Sequence, residues 1–147
     1  MEIPKNAIDL AKTFEGYSAK AYLCPAGFWT IGYGHLCGKD HPPVTMDLAE
    51  VYLQADMEKA LAGSIRHCPG LLLEKEEVLG AIVDFVFNLG AGRLKASTLR
   101  RRINQCRWSE AVKELKKWVY GGGKKLRGLE LRREAEAAYL ITENVKP

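Results

Sequence analysis

Strand-forming sequence is confined to one stretch of this chain. From Ala21 to His35 the residues read AYLCPAGFWTIGYGH, with β-branched and aromatic positions around a Pro25-Ala26-Gly27 turn. The pattern predicts a hairpin, with one arm near Ala21–Leu23 and the other near Phe28–Tyr33. The remaining elements carry apolar residues at helical spacing, so strands and helices are segregated along the chain. That segregation predicts an α+β domain, predominantly α.

The helices follow from periodicity and caps. Ile8, Leu10, Ala11 and Phe14 recur at helical spacing from Pro4, and Gly16 ends that helix. After the loop CGKDHPPVT, Thr45 is placed to cap a long helix from Met46 to about Arg66, which HCPG breaks. Residues 74–89 set Val78, Ile82, Phe85 and Val86 on one face, closed by Gly90-Ala91-Gly92. Ser97 caps a short helix to about Asn104, Ser109 another from Glu110 to Trp118. YGGGKK reads as a flexible break before a last helix from about Leu129 to Glu143. A long helix between a sheet-bearing piece and a bundle predicts one domain, 1–147, with two parts. These are a small β-containing lobe at about 15–60 and a helical lobe at about 67–147, with the first helix packed on it. Clefts between lobes are where ligands usually bind.

At 147 residues the chain can bury a real core as a single domain. No run of 18 apolar residues offers a membrane span, and the amino-terminal MEIPKNAIDLAKTFEG lacks the pattern of a secretory signal. The chain is expected to begin in the cytosol, with no stable membrane insertion. Cys24, Cys37, Cys68 and Cys106 contain no CxxC pair and are expected reduced there; their even count leaves disulfides open in an oxidising space. The net charge of +4 is unevenly spread: residues 1–92 carry −5 and residues 93–147 carry +9. A basic half suits an anionic partner, although on charge alone solvated faces of amphipathic helices are the better account. His35, Cys37, His41, His67 and Cys68 fit no zinc spacing, so neither a metal nor a cofactor is expected.

Glu15 ends the first helix directly before Gly16, Cys24 lies at the end of the first hairpin arm, and Thr30 is on the second. A helix end followed by a hairpin can fold all three toward one mouth. The combined stretch FEGYSAKAYLCPAGFWTIGYGH resembles the signature of the phage-type lysozymes, glycoside hydrolase family 24, which includes bacteriophage endolysins. In that family a Glu-Gly pair ends the first helix. An Asp, or in some members a Cys, follows nine residues later, and a Thr fifteen residues later begins a T-I-G-x-G-H motif. Glu15, Cys24 and Thr30-Ile31-Gly32-Tyr33-Gly34-His35 stand at those spacings. DFVFNLGAGRLKASTLRRRIN, RWSEA and RGLELRREAEAAYL are similar to the family's helical lobe in the same order.

The resemblance implies a lysozyme-like fold and a muramidase. Its substrate would be the β-1,4 bond between N-acetylmuramic acid and N-acetylglucosamine in peptidoglycan, and its cleavage would cause host cell lysis. A glycosidic oxygen leaves poorly until protonated, and the cation developing on the sugar needs electrostatic relief. Glu15 is the candidate general acid; burial against Phe14, Tyr22, Phe28 and Trp29, or nearby negative charge, would help such a group keep its proton. Cys24 replaces the commoner carboxylate, and a free thiol is mostly protonated at neutral pH. Three roles stay open for it. It could serve as a base or orient water with the Thr30 hydroxyl in an inverting scheme, attack the sugar as a thiolate, or stand by passively.

The resemblance also implies substrate contacts at Leu36, Phe87 and Thr98, and a pairing of Glu15 with Arg132 or Arg133. His35 is expected to orient the hairpin. Without a signal, such an endolysin would wait in the host cytoplasm and depend on a holin to reach the wall, acting as a monomer. Two other readings remain. A lytic transglycosylase would cleave the same bond without external water. A basic helical protein could instead bind the wall or nucleic acid without catalysis. Against nucleic acid, Arg100, Arg101 and Arg102 are consecutive and spread around a helix rather than forming a stripe, and no nucleic-acid motif accompanies them.

Overall fold

The computed structural model describes residues 1–141. Helix α1, Lys5–Glu15, buries Ala7, Leu10 and Ala11. A three-stranded antiparallel sheet follows in the order β1 (Ser18–Leu23), β2 (Trp29–Gly32), β3 (His35–Leu36). Its register pairs Tyr22 with Thr30 and Leu23 with Trp29, then Thr30 with Leu36 and Ile31 with His35. The hairpin is therefore as predicted, but β1 starts earlier, and β3 adds a strand too short to show a periodicity.

Helix α2, Met46–His67, carries the sheet. Its N-cap is Thr45, whose hydroxyl accepts from the Leu48 N–H at 3.1 Å. Ala49, Leu53, Met57, Ala60 and Leu61 form its buried stripe, and β2 packs on it, with Ile31 fully buried. Two contacts orient the sheet on this helix. His35 Nδ1 lies 2.7 Å from Asp56 Oδ2, and the His35 ring stacks on Tyr52 with centroids 4.2 Å apart.

The predicted break at HCPG contains a 3-10 turn, Pro69–Leu73, so α3 begins at Glu76 rather than Glu74 and runs to Leu89. Every side chain from Val78 to Val86 is buried, including Asp84. This is the central helix: α1, α2 and α7 all pack on it. Gly90 closes α3 as expected, but Ala91–Lys95 then forms a short helix, α4, which a Gly-Ala-Gly sequence hides. Helix α5, Thr98–Asn104, is capped by Ser97, whose hydroxyl accepts from the Arg100 N–H.

Helix α6 spans Trp108–Leu115, two residues earlier than predicted. Ser109 therefore falls inside the first turn and caps nothing, and Arg107 stands at the N-cap, its guanidinium paired with Glu110 at 2.6 Å. Beyond α6, Trp118 meets Phe85 edge-on at 5.6 Å. YGGGKK is not a featureless break. Tyr120–Gly121 (β4) and Lys124–Lys125 (β5) pair across Gly122 and Gly123, whose φ of +58° and +79° only glycine adopts readily. Helix α7, Arg127–Leu140, starts two residues before the predicted Leu129; Glu143, its expected end, lies outside the described residues. Among the described residues no helix is long and apolar enough to cross a membrane.

Thr45→Ala removes the cap of the helix on which the sheet rests. It is expected to cost about 1 kcal/mol, measured by urea unfolding, with native circular dichroism retained.

Candidate active site

Glu15 is the last residue of α1, and two neighbours define its carboxylate. Arg132 of α7 donates from Nη1 to Glu15 Oε2 at 2.6 Å. On the other side the chain of Gly34 passes so close that a Cβ there would lie 2.7 Å from Glu15 Cγ and Cδ and 3.0 Å from Oε1. Gly34 also holds a φ of +74°, so its place in T-I-G-Y-G-H is required twice over. Oε2 is thus the oxygen bound to arginine, and Oε1 is the one that faces Gly34.

The sheet supplies the opposite surface. Register aligns Tyr22, Thr30 and Leu36 as a cross-strand row on one face, and Cys24, two residues beyond Tyr22, shares that face by alternation. Burial pushes the Tyr22 phenol up, and the nearby Glu15 and Cys24 push it further in the same direction, so this tyrosine lies in the field of both groups. Thr30 is almost wholly buried, and its hydroxyl donates to the Phe28 carbonyl at 3.0 Å, which leaves its lone pairs to accept.

Behind Glu15 lies a buried charge network. Arg132, itself 3% exposed, donates from Nε and Nη2 to the two oxygens of Asp84 at 2.9 and 2.7 Å. The guanidinium carbon sits 5.7 Å from the Phe14 ring and 5.9 Å from the Phe87 ring. Arg133 turns elsewhere. Its Nη2 donates to Asn88 Oδ1 at 2.7 Å, and its Nε lies 2.9 Å from Glu136 Oε1. The arginine ambiguity thus resolves to Arg132. Burial opposes ionisation of Asp84, but the Arg132 charge and hydrogen bonds from Glu136 and Arg132 hold the carboxyl below its usual range. Glu136 goes the other way. Burial, and then its hydrogen bond to Asp84, raise it well above a free glutamate, against the pull of Arg133.

The remaining expected positions divide. Phe87 flanks Arg132, whereas Leu36 stands at the outer end of the Tyr22–Thr30 row with 63% of its surface exposed. Thr98 begins α5. It accepts from Arg101 Nη2 at 2.9 Å and lines a cavity of about 400 Å³ with Leu99, Glu114 and Trp118. All four cysteines are free. Cys24 and Cys37 donate to Phe28 and Trp29 from opposite sides of β2, so roughly two strand spacings, ~9–10 Å, separate them. That is too far for a disulfide without backbone movement. Burial raises the Cys68 thiol to about 11. Among the described residues no three His, Cys, Asp or Glu side chains gather as a metal ion would need. The three consecutive arginines are engaged within the fold. Arg100 bonds the His67 and Lys95 carbonyls, Arg101 bonds Thr98, and Arg102 lies near Glu110.

The phage lysozyme family model matches residues 12–136. The chain belongs to the phage lysozyme family. An endolysin of Bacillus phage B103 is 34% identical over 99% of the chain, which spans only 56% of that relative's length. An endolysin of Acyrthosiphon pisum secondary endosymbiont phage 1 is 36% identical over 94% of the chain and 97% of its own length. The muramidase domain of SpmX from Asticaccaulis excentricus superposes with a TM-score of 0.82 at 28% identity, covering 96% of this chain and 98% of that one. The lysozyme-like α+β fold expected from the sequence is therefore the fold observed. Asp84 and Glu136 were not anticipated as part of the site. A lone aspartate inside the apolar run AIVDFVF was the available signal for Asp84.

Two outcomes follow from this geometry. Gly34→Ala forces a methyl group onto the Glu15 side chain at a positive φ. It should cost about 1 kcal/mol or more in thermal unfolding, and should displace the carboxylate, seen as a crystallographic shift of Glu15. Glu136, raised in the folded state, contributes its full stability below its unfolded value, and that contribution is lost as pH rises. Glu136→Gln cannot ionise and still donates toward Asp84. Its unfolding free energy relative to wild type should therefore rise between pH 4 and pH 8 in urea titrations.

Proposed function

We propose that this chain is an endolysin muramidase. It hydrolyses the β-1,4 bond between N-acetylmuramic acid and N-acetylglucosamine in peptidoglycan, and so brings about host lysis. The observation that carries the proposal is the Glu15 carboxyl. It is held on one oxygen by Arg132, has the Gly34 backbone packed against its other side, and lies near Tyr22, the cross-strand partner of Thr30.

Glu15 is the general acid and protonates the departing glycosidic oxygen from Oε1. The Thr30 hydroxyl commits its proton to the Phe28 carbonyl, so it meets water as an acceptor and orients it rather than serving as a proton donor. Cys24 shares that task from the same strand face, as a weak acceptor and donor. Attack by the oriented water from the face opposite the leaving group inverts the anomeric centre; the proton that this water sheds passes to solvent, and the ionised Glu15 regains one from solvent. Leu36 and Phe87 extend the binding surface on either side of the reacting bond, and Thr98 contacts a more distant sugar across a cleft between a sheet-bearing lobe and a helical lobe. The enzyme works as a monomer without metal or cofactor. It accumulates in the host cytoplasm and reaches the wall when a holin opens the membrane.

A second reading has one observation in its favour, the absence of a carboxylate at position 24. A lytic transglycosylase needs an acid but no external water, and it leaves a 1,6-anhydro ring on the muramic acid. Binding of nucleic acid without catalysis is disfavoured because Arg100, Arg101 and Arg102 are held by partners within the fold.

Glu15→Gln should abolish the clearing of cell-wall suspensions while leaving the melting temperature close to wild type; a fully active Glu15→Gln protein ends the assignment. Cys24→Asp should remain active. Were it dead beside an active wild type, a covalent thiol mechanism would be favoured. NMR of the first-formed anomer separates inversion from retention, and mass spectrometry for the anhydro ring separates hydrolase from transglycosylase.

A further inference from the structure

Arg132 is planar and has three donor directions in use. Its Nε/Nη2 edge is filled by both oxygens of Asp84, and only Nη1 faces Glu15. The side chain is buried and stands within 6 Å of two phenyl rings, so it has no solvent to share its charge with. Two carboxylates therefore compete for one guanidinium, and the fully buried Asp84 holds two of the three contacts. We propose that Asp84 is a positioning residue for the acid step: it aims a single Arg132 N–H at Glu15 and compensates the charge behind that N–H. This inference rests on the reading of Glu15 as the general acid.

The physical reason is the sign of the charge that Glu15 meets. An arginine with no second partner would favour an ionised Glu15, the wrong state for donating a proton to a leaving group. With Asp84 bound along the other edge, the pair behind Glu15 is neutral as a unit. The arginine then acts as an oriented donor rather than as a bare cation. The bidentate Asp84 bond also fixes the rotation of the guanidinium plane, and with it which oxygen of Glu15 the arginine takes.

The other charged and titratable groups around these residues bear on the test. Arg133 and Glu136 face Asp84 from α7, and Tyr22 faces Glu15 from β1 with Cys24 near it beyond the strand end. Glu136 matters most, because Asp84 helps to keep its proton in place. Once Asp84 is neutralised, Glu136 can ionise and restore the lost negative charge. The comparison is therefore made in a Glu136→Gln background, where this compensation is blocked.

The experiment is the pH dependence of kcat/KM on soluble glycan oligomers from peptidoglycan, for Glu136→Gln and for Glu136→Gln with Asp84→Asn. The expected result is that the alkaline limb moves to lower pH by about one unit or more in the second variant, while activity on the acid side is better preserved. A uniform fall at every pH, with the limb in place, would mean that Asp84 is merely structural and would overturn the proposal. If the Asp84→Asn protein does not fold, adding Arg132→Gln removes the unmatched buried charge. In that variant the limb should return to its position in Glu136→Gln alone; displacement to lower pH there also overturns the proposal. An active Glu15→Gln protein would remove the acid reading itself, a failure distinct from either of these.

Discussion

The buried guanidinium of Arg132 is the interaction on which the site depends. It joins three helices that are remote in sequence: α1 through Glu15, α3 through Asp84, and α7 to which it belongs. A buried ion pair is not in itself a strong source of stability, because desolvating the charges offsets most of their attraction. Breaking one is costly, however, since the partner left behind is buried without compensation, at about 3–5 kcal/mol. The network therefore enforces one arrangement of the helices more than it deepens the energy well. Arg133 and Glu136, one turn apart on α7, extend it along α3 toward Asn88.

The sheet meets that network through backbone geometry rather than charge. Its placement comes from α2, where Ile31 enters the apolar stripe and His35 reaches Asp56. With β3 docked on α2, the turn before it brings the Gly34 backbone against Glu15. Any displacement of the sheet on α2 would change which oxygen of Glu15 is covered. Two independent supports, one electrostatic and one steric, thus converge on a single carboxylate.

Much of this was legible in the sequence where a local rule governs the outcome. Thr45 and Ser97 cap the helices they were expected to cap, and the hairpin registers around Pro25-Ala26-Gly27. Where competing local signals occurred, the predicted helix starts slipped by two residues. Ser109 offered a cap that the chain did not use, because Arg107 and Glu110 pair across the first turn and start α6 earlier. The glycines of YGGGKK suggested freedom, yet two of them supply the positive φ that a tight hairpin needs. The spacing of Glu15, Cys24 and Thr30 carried the resemblance because all three lie within sixteen residues of one another. Asp84 and Glu136 act through contacts between distant helices, and no periodicity encodes which buried acid will meet which arginine. Even the choice between Arg132 and Arg133 needed the rotation of α7 about its axis, which adjacent residues cannot reveal.

The Glu15–Arg132 contact spans 117 positions of the chain. Loop closure over such a distance is entropically costly and late, so local helices and the hairpin can form well before this contact does. A ribosome-bound chain that has not yet released α7 holds the Gly34 backbone against Glu15 but lacks the arginine that binds the carboxylate. Whatever the carboxylate does through its bond to Arg132 therefore waits until α7 has docked against α1 and α3.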